Sequence, residues 1–338
     1  MKLVIWDLDN TIWDGVLLED GPCTLRPGIL ELILGLDRIG ILQSIASRND
    51  YAMASAHIDR LGIAEYFLAP QISWSIKSTS VEAIASALNV GLDAVVFIDD
   101  QAFEREEVMH THPQVRALDA ITIESLLHDP RIRQVVVTDD GRRRRSMYIE
   151  DETRRLSEEK FSGPRDAFMA TLDMELAIAH ASSGDLDRAE ELTVRTNQLN
   201  STGSTFSRSE LDSFIESAMH TLLIVRLKDR FGDYGKIGLA LIELTPGGWI
   251  LKLLLVSCRV LSRGIGTILL NQIAARAASE SVSLEVEFRE TGRNRPMKVA
   301  LMMAGYQRVA DRNDTAIFAP RIGPIPSCPA YIKVNSTW

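Results

Sequence analysis

The sequence predicts an α/β protein of two domains, the first built on a doubly wound parallel sheet and the second on a mixed α/β arrangement. Its 338 residues exceed the length of one typical domain. Apolar runs alternate with helical periodicity in the first half, whereas strand-like runs often follow one another directly in the second. We therefore divide the chain into a first domain over 1–140, a helical connector over 141–172, a second domain over 173–325 and a C-terminal tail over 326–338.

The first half alternates strands with helices. The run 2–8 (KLVIWDL) is apolar and ends in acidic residues, which is typical of a buried parallel strand. The elements predicted after it are a helix over 28–38, a strand over 41–47, helices over 51–62 and 78–88, and a strand over 94–98. This alternation predicts βαβ units, whose ligands bind at the carboxyl ends of the strands.

The second half is organised around its most apolar strand, 249–257 (WILKLLLVS), which ends at Cys258. The pattern predicts a helix after this strand, over 263–279. The other predicted strands cover 174–180, 221–228, 235–244, 283–288 and 314–318, and the other helices cover 185–197, 209–218 and 295–304. Mostly antiparallel strands with a helix after the central one indicate a mixed α/β domain.

Composition excludes several classes of function. The net charge of −9 argues against nucleic acid as a partner, because binding to the phosphate backbone requires a basic surface. No apolar run approaches the roughly 20 residues that span a bilayer. The N-terminus turns acidic after one Lys, unlike a secretory signal. Three scattered cysteines are too few for a disulfide framework. We therefore expect a cytoplasmic protein with free thiols and no membrane partner.

Two carboxylates, Asp7 and Asp9, lie where the first strand gives way to its loop. Side chains two residues apart on an extended segment point the same way, so both can face one ligand. Phosphoryl transfer requires a nucleophile, a proton donor and cations. Asp7 suits the nucleophile and Asp9 the general acid and base. With Asp99 and Asp100 after another strand, they form a predicted oxygen-ligand set for Mg²⁺.

Further polar residues complete the predicted phosphoryl site. Ser47 ends the second strand and can donate to phosphoryl oxygens, and Lys77 offers a compact positive charge for the same oxygens and for Asp7. Other candidate substrate- or phosphate-binding residues are Asn10, Thr11 and Arg48.

A second candidate site surrounds Cys258. Glycines entering a helix let backbone N–H groups approach a phosphate, so Gly264 is a candidate phosphate-binding residue together with Arg259 and Arg263. The helix field and the two arginines would favour the thiolate of Cys258 and suit it to nucleophilic attack. The spacing is equally consistent with a buried structural cysteine.

The first-half motifs resemble those of the haloacid-dehalogenase superfamily: DxDxT, a Ser or Thr at the second strand end, a Lys and a terminal acidic pair. The resemblance covers about 1–130. The segment between Thr11 and Pro27 is too short for the inserted cap domain of many relatives, so the resemblance implies a capless domain with an open site. The second half resembles the GNAT-like acetyltransferase fold, in which the central strand and the following glycine loop hold an acyl-pantetheine.

Five segments in order, WDLDNTIWDG, FIDDQAFERE, RTNQLNST, DRFGDYG and LVSCRVLSRG, resemble the FkbH-like family over nearly the whole chain. The resemblance implies an enzyme that loads a glyceryl unit from 1,3-bisphosphoglycerate onto the phosphopantetheine thiol of an acyl carrier protein and removes phosphate, for polyketide assembly. On this hypothesis Cys258 attacks the acyl phosphate to form a thioester, and Asp7 with Mg²⁺ removes the remaining phosphate ester.

Several assignments stay open at this stage. His220, Asp229 and Asp233 are candidate bases for Cys258. Asn197, with Asn200 and Thr202, is a candidate ligand for substrate hydroxyls or phosphate, although such stretches commonly form turns. Asn294 is a candidate helix cap.

Three alternative functions also remain. The first is a Mg²⁺-dependent small-molecule phosphatase with the second domain as a lid. The second is a carrier-protein-binding module with a vestigial phosphatase site. The third is an N-acyltransferase, which Leu261 disfavours because it stands where the first basic residue of the RxxGxG/A loop belongs.

Overall fold

The computed structural model describes residues 1–123 and 138–338. They form two compact units, Met1–Ile149 and Glu150–Trp338. The segment 124–137, which the sequence places in the first domain, lies outside the described residues. Over the described part of the chain, no helix combines the length and the apolar character needed to cross a membrane.

The first unit contains a five-stranded parallel sheet and a small hairpin. The sheet strands are β1 (Leu3–Trp6), β4 (Leu42–Ser47), β5 (Gln71–Ile72), β6 (Val95–Asp99) and β7 (Arg116–Asp119), and the hairpin strands are β2 (Trp13–Asp14) and β3 (Thr24–Leu25). The order β5-β4-β1-β6-β7 places β1 at the centre. Because Trp6 lies opposite both Ile45 and Ile98, the three central strands end side by side.

Helices cover both faces of this sheet, as expected of a doubly wound fold. They are α1 (Leu17–Asp20), α2 (Ile29–Arg38), α3 (Tyr51–Arg60), α4 (Lys77–Ala87), α5 (Ala102–Thr111) and α6 (Asp139–Arg142). Val4 and Trp6 of β1 belong to one apolar core with residues of α2 and α3. Leu3 and Ile5 belong to another with residues of α4 and α5. The alternation along β1 thus serves two cores.

The second unit is built on an eight-stranded mixed sheet. Its strands are β8 (Met174–His180), β9 (His220–Asp229), β10 (Gly232–Thr245), β11 (Gly248–Val256), β12 (Leu284–Phe288), β13 (Tyr306–Arg312), β14 (Thr315–Pro320) and β15 (Ile332–Ser336). The order is β13-β14-β12-β11-β10-β9-β8-β15. Only the pairs β11–β12 and β15–β8 are parallel. The predicted combination of a doubly wound parallel sheet with a mixed α/β domain is therefore confirmed.

The helices associated with the second unit are α7 (Arg144–Glu159), α8 (Arg165–Ala170), α9 (Leu186–Arg195), α10 (Arg208–Glu216), α11 (Ile265–Ser279) and α12 (Arg295–Met303). The boundary between the units falls inside α7. Residues of α9 and α10 pack on one face of the sheet, and residues of α11 and α12 pack on the other.

Two parts of the second unit differ from the sequence-based expectation. The segment 326–338, set apart as a tail, contributes β15, whose Ile332–Ser336 pair with Met174–Ile178 of β8. The helix expected from 263 begins at Ile265, because Cys258–Arg263 form a 3₁₀ turn and Gly264 follows with a φ of 70°. A left-handed φ suits glycine, and it separates the turn from the helix.

A buried ion pair joins α7 to the sheet of the second unit. Arg154, only 1% exposed, donates to both carboxylate oxygens of Asp229, at 2.7 and 3.0 Å. The Tyr234 hydroxyl also donates to Asp229, at 2.9 Å, and the Arg154 guanidinium lies 3.9 Å from the centre of the Tyr234 ring. Every charge in this arrangement has a partner, which is the condition for keeping charges buried.

We expect Arg154→Ala to lower the free energy of unfolding of the second unit by about 3–5 kcal/mol, because it leaves the buried Asp229 carboxylate without its cation. Arg155→Ala is the matched control, since Arg155 is exposed and pairs with Glu152 and Glu159 of the same helix. Urea unfolding followed by circular dichroism measures both. Equal stabilities for the two variants would contradict a structural role for the buried pair.

Candidate functional site

Three carboxylates meet at the carboxyl edge of the parallel sheet. Asp7 follows β1, and its backbone N–H donates to Ile98 of β6 at 2.8 Å, which places it beside Asp99 at the end of that strand. One carboxylate oxygen from each of Asp7, Asp99 and Asp100 lies within 4.8 Å of the others. Clustered oxygen ligands of this kind suit a hard divalent cation such as Mg²⁺.

Lys77 supplies the positive charge in this group. It is the first residue of α4 and is 3% exposed. Its ammonium donates to Asp7 and, at 3.0 Å, to Asp99, and it also donates to the Ala46 carbonyl at 2.8 Å. All three ammonium donors therefore have acceptors, and the buried cation neutralises part of the charge of the two aspartates.

Burial shifts the acid–base behaviour of the group. Burial raises the pKa of Asp99 to about 6, with Asp7 acting in the same direction and Lys77 opposing both. Burial and the Asp7 charge also raise the pKa of Asp100. Burial acts to lower the pKa of Lys77, but Asp7 and Asp99 outweigh it and the pKa is raised. Lys77 therefore stays protonated at neutral pH. The pKa of Asp99, about 6, lies a little below neutral pH.

The Asp9 carboxylate lies outside the acidic group found among the described residues, and its role as a fourth metal ligand stays a prediction. Its Oδ1 accepts from the Trp13 indole at 2.8 Å and from the Leu17 backbone at 3.0 Å, and its Oδ2 accepts from Asn49 at 3.0 Å. These three donors hold the side chain towards the loop after β1. Burial nevertheless raises the pKa of Asp9, as a general acid requires.

Two buried polar atoms at this site have no hydrogen-bond partner among the described residues: Thr11 Oγ1 and Asp100 Oδ1. Unpaired buried polar atoms cost free energy, and native proteins tolerate them mainly where a ligand, ion or water completes the site. A cation on Asp100 and a phosphoryl oxygen on Thr11 would satisfy both. The residues present therefore fit Mg²⁺ and a phosphoryl group.

The other predicted residues of this site have varied surroundings. Ser47 is buried at the end of β4. The exposed Asn10 side chain accepts from the Gly15 backbone at 3.1 Å and shapes the loop. Arg48 donates to the Ser75 carbonyl at 3.3 Å and pairs with Glu104 at 2.7 Å, so part of its hydrogen-bonding capacity is already used.

Sequence reasoning missed three residues that organise the site. Trp13 and Asn49 bind Asp9, and Arg105 donates to the Asp99 carbonyl at 2.8 Å while pairing with Asp119 at 2.7 Å. The position of Asn49 within the polar run at the end of β4 could have indicated a role. No local sequence signal distinguishes Trp13 or Arg105.

In the second unit, Cys258 follows β11 and opens the 3₁₀ turn Cys258–Arg263 as a half-buried free thiol. The helix whose N-terminus was predicted at 263 begins at Ile265, seven residues after Cys258. The two neighbouring arginines are also engaged. Arg259 donates to the Tyr234 carbonyl at 2.9 Å, and the buried Arg263 pairs with Glu158 at 3.2 Å.

The structure corrects the candidate bases for Cys258. His220 lies opposite Glu243 in the sheet, whereas Val256 is level with Gly238 and Val225. Five residues of extended strand separate the two levels, or about 17 Å, so His220 is too far from Cys258 to take its proton. Asp229 is committed to Arg154 and Tyr234, and Asp233 pairs with Arg226. Both acids therefore have structural partners.

The segment that contains Asn197, Asn200 and Thr202 crosses the second unit beside β11. β11 pairs with β12 only over Trp249–Leu251. Beyond that point Val256 donates to the Leu199 carbonyl at 2.9 Å, and Ser201 bonds with Leu254 through both its backbone and its hydroxyl.

Among the polar residues of this segment, Asn200 and Thr202 are buried, and Asn294 donates to the Asn200 carbonyl at 2.9 Å. Of the three candidate ligands in this segment, Asn197 is exposed, unlike Asn200 and Thr202. The buried members stabilise this segment, and Asn197 is the one oriented to meet a solute.

A cavity of about 600 Å³ lies in the second unit beside the start of α11. Its apolar wall comes from Met169, Leu261, Val299, Met303 and Tyr331, and its polar wall from Arg165, Arg263, Gly264 and Arg295. Cys258 is not among its described lining residues. Three arginines and Asp166 line the cavity beside its apolar wall, so the lining carries a net positive charge and suits a ligand with both apolar and anionic groups.

No protein-family model matches the chain, and no curated protein matches it. Among solved structures, the chain is similar to the N-terminal part of the protein BF1531 from Bacteroides fragilis, which contains a phosphatase domain complexed with Mg. The identity is 28% and the TM-score 0.35, over 38% of this chain and 39% of that one. The chain thus spans well under two thirds of the length of that structure.

The chain is also similar to two acetyltransferases. The ribosomal-protein-S18-alanine N-acetyltransferase from Escherichia coli is 17% identical with a TM-score of 0.35, over 46% of this chain and 97% of that one. The IAA acetyltransferase from Bacillus cereus is 13% identical with a TM-score of 0.32, over 43% of this chain and 98% of that one. Each match covers less than half of this chain.

We expect Lys77→Ala, in metal-free buffer at pH 7.5, to lower the free energy of unfolding of the first unit by about 3–5 kcal/mol, since it leaves two buried carboxylates without their cation. The same substitution in an Asp7→Asn background should cost less, because only Asp99 then loses a charged partner. Urea denaturation of the four proteins measures the coupling. Equal costs in both backgrounds would contradict a shared electrostatic group.

Proposed function

We propose that this chain is a glyceryltransferase and phosphatase, which takes a three-carbon unit from 1,3-bisphosphoglycerate, removes phosphate and delivers glyceryl to the phosphopantetheine thiol of an acyl carrier protein for polyketide biosynthesis. The observation that carries the phosphatase half is the group formed by Asp7, Asp99, Asp100 and Lys77, with unpaired atoms on Thr11 and Asp100. The transferase half rests on Cys258 and on the second-unit cavity.

In the first unit, Asp7 attacks the phosphorus of the phosphate ester, and the departing alkoxide takes a proton from Asp9. Asp9 then removes a proton from the water that hydrolyses the aspartyl-phosphate, and Asp7 is regenerated. Lys77 neutralises charge on the phosphoryl oxygens, and the Thr11 hydroxyl donates to one of them. Asp7, Asp99 and Asp100 would hold Mg²⁺, which supplies further charge neutralisation when bound.

In the second unit, the Cys258 thiolate attacks the carbonyl carbon of the acyl phosphate, and inorganic phosphate leaves. The resulting thioester requires no ATP, because the acyl phosphate is already activated. The carrier thiol then attacks the same carbonyl, and Cys258 leaves as the thiolate. The apolar wall of the cavity suits the pantetheine arm, and its arginines suit the phosphate that links the arm to the carrier.

Intact-mass spectrometry of the enzyme incubated with 1,3-bisphosphoglycerate and Mg²⁺ tests the proposal. Wild type should gain a glyceryl adduct, Cys258→Ala should gain none, and Asp7→Asn should retain a phosphorylated adduct. Addition of a phosphopantetheinylated carrier protein should discharge the adduct from wild type. Cys328→Ala, which removes another half-buried thiol, is the control and should behave as wild type.

A second candidate function, a Mg²⁺-dependent phosphatase of small phosphoesters, is favoured by the placement of Cys258 outside the lining of the cavity. This candidate predicts phosphate release that is unaffected by Cys258→Ala, with no adduct on any variant. That result would overturn the transferase half of the proposal and leave the phosphatase half standing.

The affinity for Mg²⁺ should depend on pH. Because the Asp99 pKa is raised to about 6, the metal-free protein binds a proton there below pH 6, and Mg²⁺ must displace it. The same shift means that the metal-free protein loses stability as pH rises from the ordinary carboxyl value of 3.8 to about 6. The Mg²⁺-induced increase in melting temperature should therefore be larger at pH 7.5 than at pH 5. An increase independent of pH, or one unchanged in Asp99→Asn, would contradict this assignment.

A further inference from the structure

The start of α4 carries Lys77 but lacks a cap of its own. Ile76 occupies the N-cap position with extended backbone angles and an apolar side chain, so it cannot accept from the first N–H groups of the helix. The first four N–H groups of any α-helix require acceptors from outside the helix. The residue after Lys77, Ser78, is buried, so water cannot readily supply them.

Glu107 of α5 provides an acceptor for one of these N–H groups, that of Ser78. Its Oε2 accepts from the Ser78 backbone N–H at 3.0 Å, and its Oε1 accepts from the Ser78 hydroxyl. A carboxylate is also the favoured partner for the positive end of a helix dipole. Glu107 therefore caps α4 from a neighbouring helix.

His112, directly after α5, forms a hydrogen bond with the backbone carbonyl of Ser78. Its Nε2 lies 3.1 Å from the Ser78 carbonyl oxygen. A carbonyl oxygen only accepts, so Nε2 carries the proton. The N–H, hydroxyl and carbonyl of Ser78 are thus all fixed by Glu107 and His112.

The same helix also contacts the acidic group, through a residue two positions before Glu107. Arg105 of α5 donates to the Asp99 carbonyl and pairs with Asp119 of β7. Helix α5 therefore connects the end of β6, which carries Asp99, to the start of α4, which carries Lys77. The Lys77 ammonium donates to the Asp99 carboxylate at 3.0 Å, although the two residues belong to different strand–helix connections.

We propose that Glu107 is a positioning residue for phosphoryl transfer: by capping α4 at Ser78, it holds the Lys77 ammonium between Asp7 and Asp99. Lysine has a long, flexible side chain, so the position of its backbone decides which acceptors it can reach. A displacement of about 1 Å at a catalytic group costs up to about a hundredfold in rate. The kinetic part of this inference rests on the proposed phosphatase function.

The experiment compares Glu107→Ala with Glu107→Gln in the full chain. The glutamine amide keeps one acceptor for the Ser78 N–H and can donate to the Ser78 hydroxyl, so it should preserve the cap. Glu106→Ala is the matched control, because Glu106 is an exposed neighbour on the same helix. The two readouts are hydrogen–deuterium exchange over residues 73–80 and Mg²⁺-dependent hydrolysis of para-nitrophenyl phosphate.

Glu107→Ala should accelerate exchange at the start of α4 and lower kcat by about ten- to a hundredfold, with a smaller effect on KM. Glu107→Gln and Glu106→Ala should match wild type in both readouts. In a Lys77→Ala background, Glu107→Ala should cause no further loss of kcat, because the group that it positions is gone. A purely structural role would lower activity equally in both backgrounds.

Two results would overturn the inference: unchanged exchange in Glu107→Ala, or accelerated exchange with unchanged kcat. A wild-type protein without Mg²⁺- and Asp7-dependent hydrolysis would instead overturn the proposed phosphatase function. In that case the exchange measurement still decides whether Glu107 caps α4.

Discussion

The contact of Lys77 with Asp7 and Asp99 is the constraint on which the first unit depends. It brings together the ends of β1 and β6 and the start of α4, and it leaves one buried cation among three buried or half-buried carboxylates. Such a group keeps a negative charge that a divalent cation can neutralise. The sheet register, the interaction of Arg105 with Asp99 and the cap at Ser78 all serve to keep these charges in place.

The second unit handles its charges differently. Arg154 and Asp229 pair in the interior, and Arg154 also pairs with Asp151 and Glu150 of α7, so these charges stabilise the fold. The charged residues that line the cavity beside the start of α11 are three arginines and Asp166, next to an apolar wall. The first unit therefore suits a compact, hard anion with its metal, and the second suits a ligand that carries both apolar and anionic groups.

Sequence patterns predicted those features that follow from chain direction alone. The acidic residues after β1 and β6 had to meet, because parallel strands end at the same edge, and Asp7, Asp99 and Asp100 do so. The orientation of the Asp9 carboxylate could not be predicted, since it depends on Trp13 and Asn49, which the spacing does not reveal. His220 failed as a candidate base because only the register of the sheet shows its distance from Cys258.

The pairing of β15 with β8 has a consequence for biosynthesis. Met174 lies beside Ile332, so the outer edge of β8 is covered only by β15, which is synthesised much later. Until Ile332–Ser336 have left the ribosome, that edge exposes unpaired N–H and C=O groups to other chains. Contacts this distant along the chain also form slowly. During the interval between synthesis of these two strands, the outer edge of β8 is therefore open to pairing with other chains.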